Sequence, residues 1–345
     1  MRHPRLSAAA GGAVPARAGQ ARPRAVPPLL AVAHGSADPR AAATIAGLMA
    51  LVGEMAGRCG LPALDARTAF LGHSPPSVAQ VLGALAGTGP AGTGPAGTGP
   101  AGTGPAGTGP AGTGPAARRR HAVVLPLLLT AAYHSEIDLP ALLAEASAAH
   151  PGLTISYGDA LGPHPLLLRA LDRRLAECGA PAAPGMANPG MTRPERPVSG
   201  GQRSPHAGPV PSSPRDIAVV LAWAGSRRPA AIAAIAGVAA RWQAARGWRA
   251  VVPAYAAAGS PTPAGAVSAL LRGGAPAVVV ATYLLAPGRF ADQVAESSLG
   301  AGAAAVSGAL GAAPELARLV LLRYAAAIAR PGRMDGAWQG ISASR

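Results

Sequence analysis

LLAVAHGSADPR, residues 29–40, reads as a strand, a tight turn and the first turn of a helix. The apolar run before His34 has the composition of a strand buried on both faces of a parallel sheet. Gly35 frees the backbone to turn at the strand end. Asp38 followed by Pro39 is a helix start, a capping carboxylate and a residue pre-set for the first turn. In open α/β sheets, ligands bind beyond the carboxyl ends of the strands. His34 stands at that edge, and the loops that share the edge form the candidate site.

Downstream the pattern alternates. Residues 38–57 carry Ile45, Leu48, Met49, Val52 and Met55 at helical spacing. A second strand is expected over 63–70 and a short helix over 77–85, separated by LGHSPP, a turn rich in breakers. Residues 123–129 read as a central strand and 136–149 as a helix with acids in its first turn. A strand over 153–157 and a helix over 166–177 complete a βαβαβαβα order, which calls for a parallel sheet covered by helices. The order is interrupted once, by AGTGP repeated six times over 86–115. No residue of that repeat can build a core, and it reads as a flexible insert over 86–117. It joins a helix to the next strand, so it should leave the sheet at its amino edge, away from His34.

Composition narrows the function classes. All thirty basic residues are Arg, and the net charge is +15. About +11 of it lies in residues 1–27, 118–120 and 179–215. None of these basic segments is interleaved with aromatics as a single-strand platform would be. Nucleic acid is therefore not an expected partner. The apolar run at 29–33 is too short to span a bilayer, and no membrane partner is expected. Cys59 and Cys178 lie far apart and outside any C-x-x-C spacing, so neither a disulfide framework nor a zinc site is implied. A reducing, cytoplasmic setting fits.

The expected organisation is a disordered basic tail (1–27), a histidine-bearing lobe (28–178), a disordered linker (179–215), a second lobe (216–330) and a tail (331–345). The second lobe repeats the first. WAGSRRPA at 223–230 is a weak copy of AHGSADPRA, AGSPTPAGAV echoes GHSPPSVAQV, and APGRFAD echoes AAYHSEID. The fold class is α/β, a tandem duplication of one parallel-sheet unit flanked by helices. The copies differ in one chemical respect: His34 falls opposite Ala224, His73 opposite Ala258 and His134 opposite Gly288. The second lobe keeps the turns and has no histidine, so those side chains are not needed for the turns. Imidazole is suited to binding a divalent transition metal and to exchanging protons near neutral pH. His34, His73 and His134 are therefore candidates for a metal or proton-transfer constellation. His164, between Pro163 and Pro165 at a helix start, reads as a capping or surface residue.

The stretches AHGSADPRA, PLLLTAAYHSEIDLP and LGPHPLL resemble those of the sirohydrochlorin chelatase family of the two-half CbiX type. TYLLAPGRFADQV is similar to the degenerate half of such proteins. The resemblance implies two similar chelatase-type lobes with the active site between them. It implies ATP-independent insertion of Co²⁺ or Fe²⁺ into sirohydrochlorin, for cobalamin or siroheme biosynthesis, with the metal as substrate and no permanently bound cofactor. His34 and His134 match the family's two active-site histidines, and His73 is the further candidate metal ligand. Ser36, Arg40, Ser135, Arg227, Arg228 and Arg289 are candidate substrate-binding residues, because Arg pairs bidentately with the carboxylates of such a tetrapyrrole. The alternative for each Arg is a solvated side chain at a helix start. Monomer and dimer both remain open. A chelatase relic that binds metal or a partner without turnover is the rival function. A phosphatase of the phosphohistidine kind would place Arg before the histidine, where this chain has Ala33.

Overall fold

The computed structural model describes residues 26–61, 64–72, 74–87, 120–130, 137–181, 200–204, 209–257 and 259–330. The tails, most of the 86–117 repeat insert and much of the 179–215 linker lie outside the described residues.

The first lobe is a parallel sheet of β1 (Leu29–Ala33), β2 (Ala66–Phe70), β3 (Arg120–Pro126) and β4 (Leu153–Tyr157), in the order β2-β1-β3-β4. The apolar runs form the strands as expected. The third strand begins earlier than its apolar part, at Arg120, because pairing of Arg120 with Leu153 sets its register. Helix α1 (Pro39–Arg58) is capped by Asp38, whose side chain accepts from the Arg40 N–H. Helix α2 (Val78–Ala86) carries a reciprocal capping box between Ser77 and Gln80. Helix α3 (Leu139–Ala149) starts later than the sequence suggests, so the expected acids do not fall within its first turn. Helix α4 (Pro165–Glu177) closes the lobe. The residues that flank the repeat insert meet at the amino edge of the sheet, where the Arg120 guanidinium donates to the Leu85 carbonyl at 3.2 Å; most of the insert itself lies outside the described residues.

The second lobe repeats this plan with β6 (Ile217–Trp223), β7 (Ala250–Tyr255), β8 (Ala277–Tyr283) and β9 (Ala305–Val306), and helices α5 (Pro229–Arg246), α6 (Pro263–Arg272), α7 (Arg289–Gly300) and α8 (Pro314–Ala329). Its sheet has one extra member. Gln202–Arg203, from the segment read as linker, forms β5 and pairs antiparallel with β9. The duplication is visible bond for bond. Leu71 and Gly72 donate to the carbonyls of Ala33 and His34, and Ala256 and Ala257 donate to those of Trp223 and Ala224. The Asp38 N–H donates to Ser36 Oγ, and the Arg228 N–H to Ser226 Oγ, at 3.1 Å in each lobe.

Strand residues alternate between two cores. Leu30, Val32, Ala122 and Val124 face α2 and α3, while Ala218, Val220, Val278 and Val280 face α6 and α7. The other set, Leu29, Ala31, Val123, Leu125, Val219, Leu221, Val279 and Ala281, belongs to one cluster shared by both lobes. The lobes fill it by exchange: α8 packs on β3 and β4 of the first sheet, and α4 packs on β8 of the second. Helix α4 is tied across the boundary by charge as well. Arg173 pairs with Glu315 at 2.6 Å, and Arg174 donates to the Leu310 carbonyl at 2.7 Å and 2.9 Å. Asp172 accepts from Trp242 Nε1 at 3.1 Å and from Arg246 Nε at 2.9 Å. Burial pushes the Asp172 carboxyl above its ordinary range, and Arg246 and Trp242 oppose that rise. Arg246 also donates to the Pro181 carbonyl and lies over the Trp248 ring.

Removing one partner of a buried pair strands the other charge. Asp172→Ala leaves Arg246 the Pro181 carbonyl and the Trp248 face, so the expected loss is about 3 kcal/mol, read as a lower urea midpoint.

Candidate functional site

His34 is the first residue past β1, exposed at the carboxyl edge of the first sheet. The turn that carries it depends on Gly35. Its φ is +92°, and a Cβ there would sit 1.7 Å from the Gly72 carbonyl oxygen. The β1–α1 loop and the β2–α2 turn are thus in direct backbone contact. Ser74 fastens them from the other side: its hydroxyl donates to the Ser36 carbonyl at 2.8 Å. The Ser36 hydroxyl in turn accepts from the Asp38 N–H. Ser36, expected among the substrate-binding residues, is therefore engaged in shaping the loop behind His34.

The neighbouring strand delivers a second loop to the same edge. β3 pairs with β1, and the Leu127 N–H continues the pairing to the Val32 carbonyl at 2.7 Å. The following loop is held by Leu161 and Gly162, which donate to the Leu128 carbonyl. It is also held from the second lobe, where the buried Tyr283 hydroxyl donates to the Leu129 carbonyl at 3.1 Å. His134 and Ser135 on this loop, and His73 on the β2–α2 turn, lie outside the described residues. Among the described residues, no group of three His, Cys, Asp or Glu side chains is arranged to hold a metal ion.

The second lobe brings its own carboxyl edge to this place. The β8–α7 loop lies against the β1–α1 loop: a Cβ on Gly288 would be 3.8 Å from both Asp38 Cβ and Ser36 Oγ. Arg289 follows, exposed at the start of α7. β6 and β8 are paired neighbours, with Trp223 opposite Tyr283. Arg227 and Arg228, just past β6, therefore share that edge with Arg289. Arg40 is placed differently from a free clamp. Its Nε and Nη2 atoms bond Asp38 at 2.6–3.1 Å. Its Nη1 bonds Asp292 at 3.2 Å, and its Nη2 bonds Asp292 as well. Arg40 holds the Asp38 carboxyl below its usual range, and the two carboxylates raise the Arg40 pKa. Sequence reasoning did not select Asp292. The signal was present: AAYHSEID and APGRFAD both end in Asp, at Asp138 and Asp292.

The other histidines among the described residues, His164, His121 and His150, stand at helix ends or at the far end of the sheet. His164 caps α4, its Nδ1 accepting from the Leu166 N–H at 3.1 Å, which is the expected capping role. His121 Nε2 lies 2.8 Å from Ser156 Oγ at the opposite end of the sheet. His150 is the C-cap of α3.

The CbiX family model matches residues 115–178 and 218–327, a segment in each lobe. Over 57 residues the chain is 40% identical to the sirohydrochlorin cobaltochelatase of Priestia megaterium, covering 16% of this chain and 19% of that protein. Over 61 residues it is 33% identical to the sirohydrochlorin ferrochelatase of Bacillus subtilis, covering 18% of this chain and 23% of that protein. The chain thus spans about a fifth of the length of these curated relatives. The structure is similar to SirB from Bacillus subtilis with Fe³⁺ (TM-score 0.60, 19% identity, 90% of this chain and 97% of that one). It is also similar to sirohydrochlorin chelatase SirB of B. subtilis subspecies spizizenii in complex with cobalt (TM-score 0.57, 18% identity, 88% and 95%). These structural likenesses establish the two-lobe fold.

Two measurements test the local account. Gly35→Ala forces a side chain against the Gly72 carbonyl and a left-handed φ on Ala; it should cost about 1–3 kcal/mol in urea unfolding. His164 must be neutral to accept from Leu166, and burial, then Arg323, lowers its pKa from 6.5. Its contribution to stability is present above about pH 6.5 and is lost as pH falls toward the lower folded value. His164→Asn, which retains a capping acceptor, should flatten part of the acid loss of the urea midpoint. The part due to His121, whose pKa burial also lowers, should remain.

Proposed function

The chain belongs to the CbiX family, and on that premise we propose that it is a sirohydrochlorin chelatase inserting Co²⁺ or Fe²⁺ into the macrocycle without ATP. The observation that carries the reading is the position of His34: an exposed imidazole at a strand end, in a loop pressed against the carboxyl-edge loop of the other lobe. A planar macrocycle entering between those edges meets the histidine from one side and the arginines from the other.

Metal insertion requires that two pyrrole N–H protons leave and that the metal shed its waters. A neutral imidazole serves either step, as base or as ligand. His34 and His134 carry this chemistry in the proposal, with His73 as a third contact to the incoming metal. A few ligands on one face suit a metal that must be passed on, whereas a closed four-ligand cage would retain it. The substrate's carboxylates are held by Arg227, Arg228 and Arg289, with Ser135 donating from the first lobe. Phe290, 48% exposed beside Arg289, offers an apolar surface to the ring. The second lobe thus supplies wall and charge, for which it needs no histidine. Cobalt and iron are both to be assayed, since one curated relative is a cobaltochelatase and the other a ferrochelatase.

The test is the anaerobic absorbance change of sirohydrochlorin mixed with Co²⁺ or Fe²⁺. Wild type should accelerate insertion above the spontaneous rate. His34→Ala and His134→Ala should each lower kcat by about 100-fold or more. Arg227→Ala, Arg228→Ala and Arg289→Ala should instead raise KM for the tetrapyrrole, by about tenfold for each lost charged contact. A folded wild-type protein that does not exceed the spontaneous rate would refute the proposal.

A further inference from the structure

Arg40 links three carboxylate and backbone features that lie on two lobes. Asp38 caps α1 through the Arg40 N–H at 2.8 Å and grips the same residue's guanidinium along its Nε edge. The other edge is taken by Asp292, in the first turn of α7. Asp292 is itself fixed, its N–H donating to the Gly288 carbonyl at 3.0 Å, and Gly288 is the residue that lies against Ser36 and Asp38. The Arg40–Asp292 pair therefore spans the point where the loop behind His34 meets the loop ahead of Arg289.

Its side chains are 53% and 56% exposed. An exposed ion pair contributes little to global stability, and the lobes are already joined by the exchanged helices. The effect of this pair is local. The duplicated loop is built from other residues: Ala230 occupies the place of Arg40, and Arg228 that of Asp38.

We infer that Arg40, oriented by Asp38 and held by Asp292, is a positioning residue that sets the spacing between the His34 loop and the Arg289 loop. The inference rests on the reading that the macrocycle binds between these loops. It also moves Arg40 out of the group that grips substrate carboxylates, because both edges of its guanidinium are occupied.

The full-length Arg40→Ala and Asp292→Asn variants separate the two roles. Amide hydrogen exchange is measured without ligand, together with the urea midpoint and steady-state metal insertion. In Arg40→Ala, exchange in residues 286–292 of the other lobe should quicken several-fold, and in Asp292→Asn that of residues 34–40 should do so. KM for sirohydrochlorin should rise about fivefold or more in both, with kcat changed less and the urea midpoint unmoved. Asp292→Glu should restore both readouts. Unchanged exchange across the lobe boundary overturns the clasp, whatever the activity. A fall in KM for Asp292→Asn also overturns it, because a released Arg40 would then be binding substrate directly. If the wild type inserts no metal but exchange responds as stated, the clasp stands and the chelatase reading falls.

Discussion

The last helix of each lobe covers the sheet of the other. Without α8, the inner faces of β3 and β4 would lose their cover, and without α4 so would that of β8. The buried side of α8, with Leu316, Leu319, Val320 and Tyr324, belongs to the same cluster as Leu29, Val123 and Leu125 of the first sheet. Burying each such side chain is worth about 1.5–3 kcal/mol. Separating the lobes would therefore open the largest core of the molecule. This constraint turns two sheets into one body and keeps their carboxyl edges at a fixed approach. Edges held in this way would suit the rigid, planar substrate of the proposed reaction, since little ordering of the protein is left for the binding step.

Within that body the two copies share their turns and differ in the side chains those turns carry. Their turns are built alike, with Gly35 at φ +92° and Gly225 at φ +101° and matched serine bonds behind each. The chemistry on top of the turns differs, His34 against Ala224 and Asp38 against Arg228. Matched turns with exchanged side chains fit the proposal that one copy handles protons and metal on a shared scaffold. The second lobe acts through position instead: Tyr283 holds the Leu129 carbonyl and Asp292 holds Arg40. The linker adds to it as well, since β5 covers the edge of β9, where an open strand would otherwise present unpaired backbone.

Much of this was legible in the residues. Apolar runs ending in Gly or Pro marked the strands, and Asp38-Pro39 and Ser77 marked helix starts that the structure reproduces. The exchange of α4 and α8 was not legible, because helical periodicity says that a face is buried and not against which sheet. No local pattern singles out Asp172, Arg173 and Arg174, yet all three bond across the lobe boundary. Arg40 and Asp292 are 252 positions apart, beyond any local pattern. β5 has two residues, too few to show alternation. His34 is placed as its strand implied, whereas His73 and His134 lie outside the described residues.

The most direct test of the account is a crystal structure of the protein with sirohydrochlorin and Co²⁺. The expected result is a macrocycle between the two carboxyl edges, with His34 facing the metal, carboxylates on Arg227, Arg228 or Arg289, and no metal ligand from the second lobe. A macrocycle bound away from the lobe boundary, or a metal ligated from residues 216–330, would contradict it.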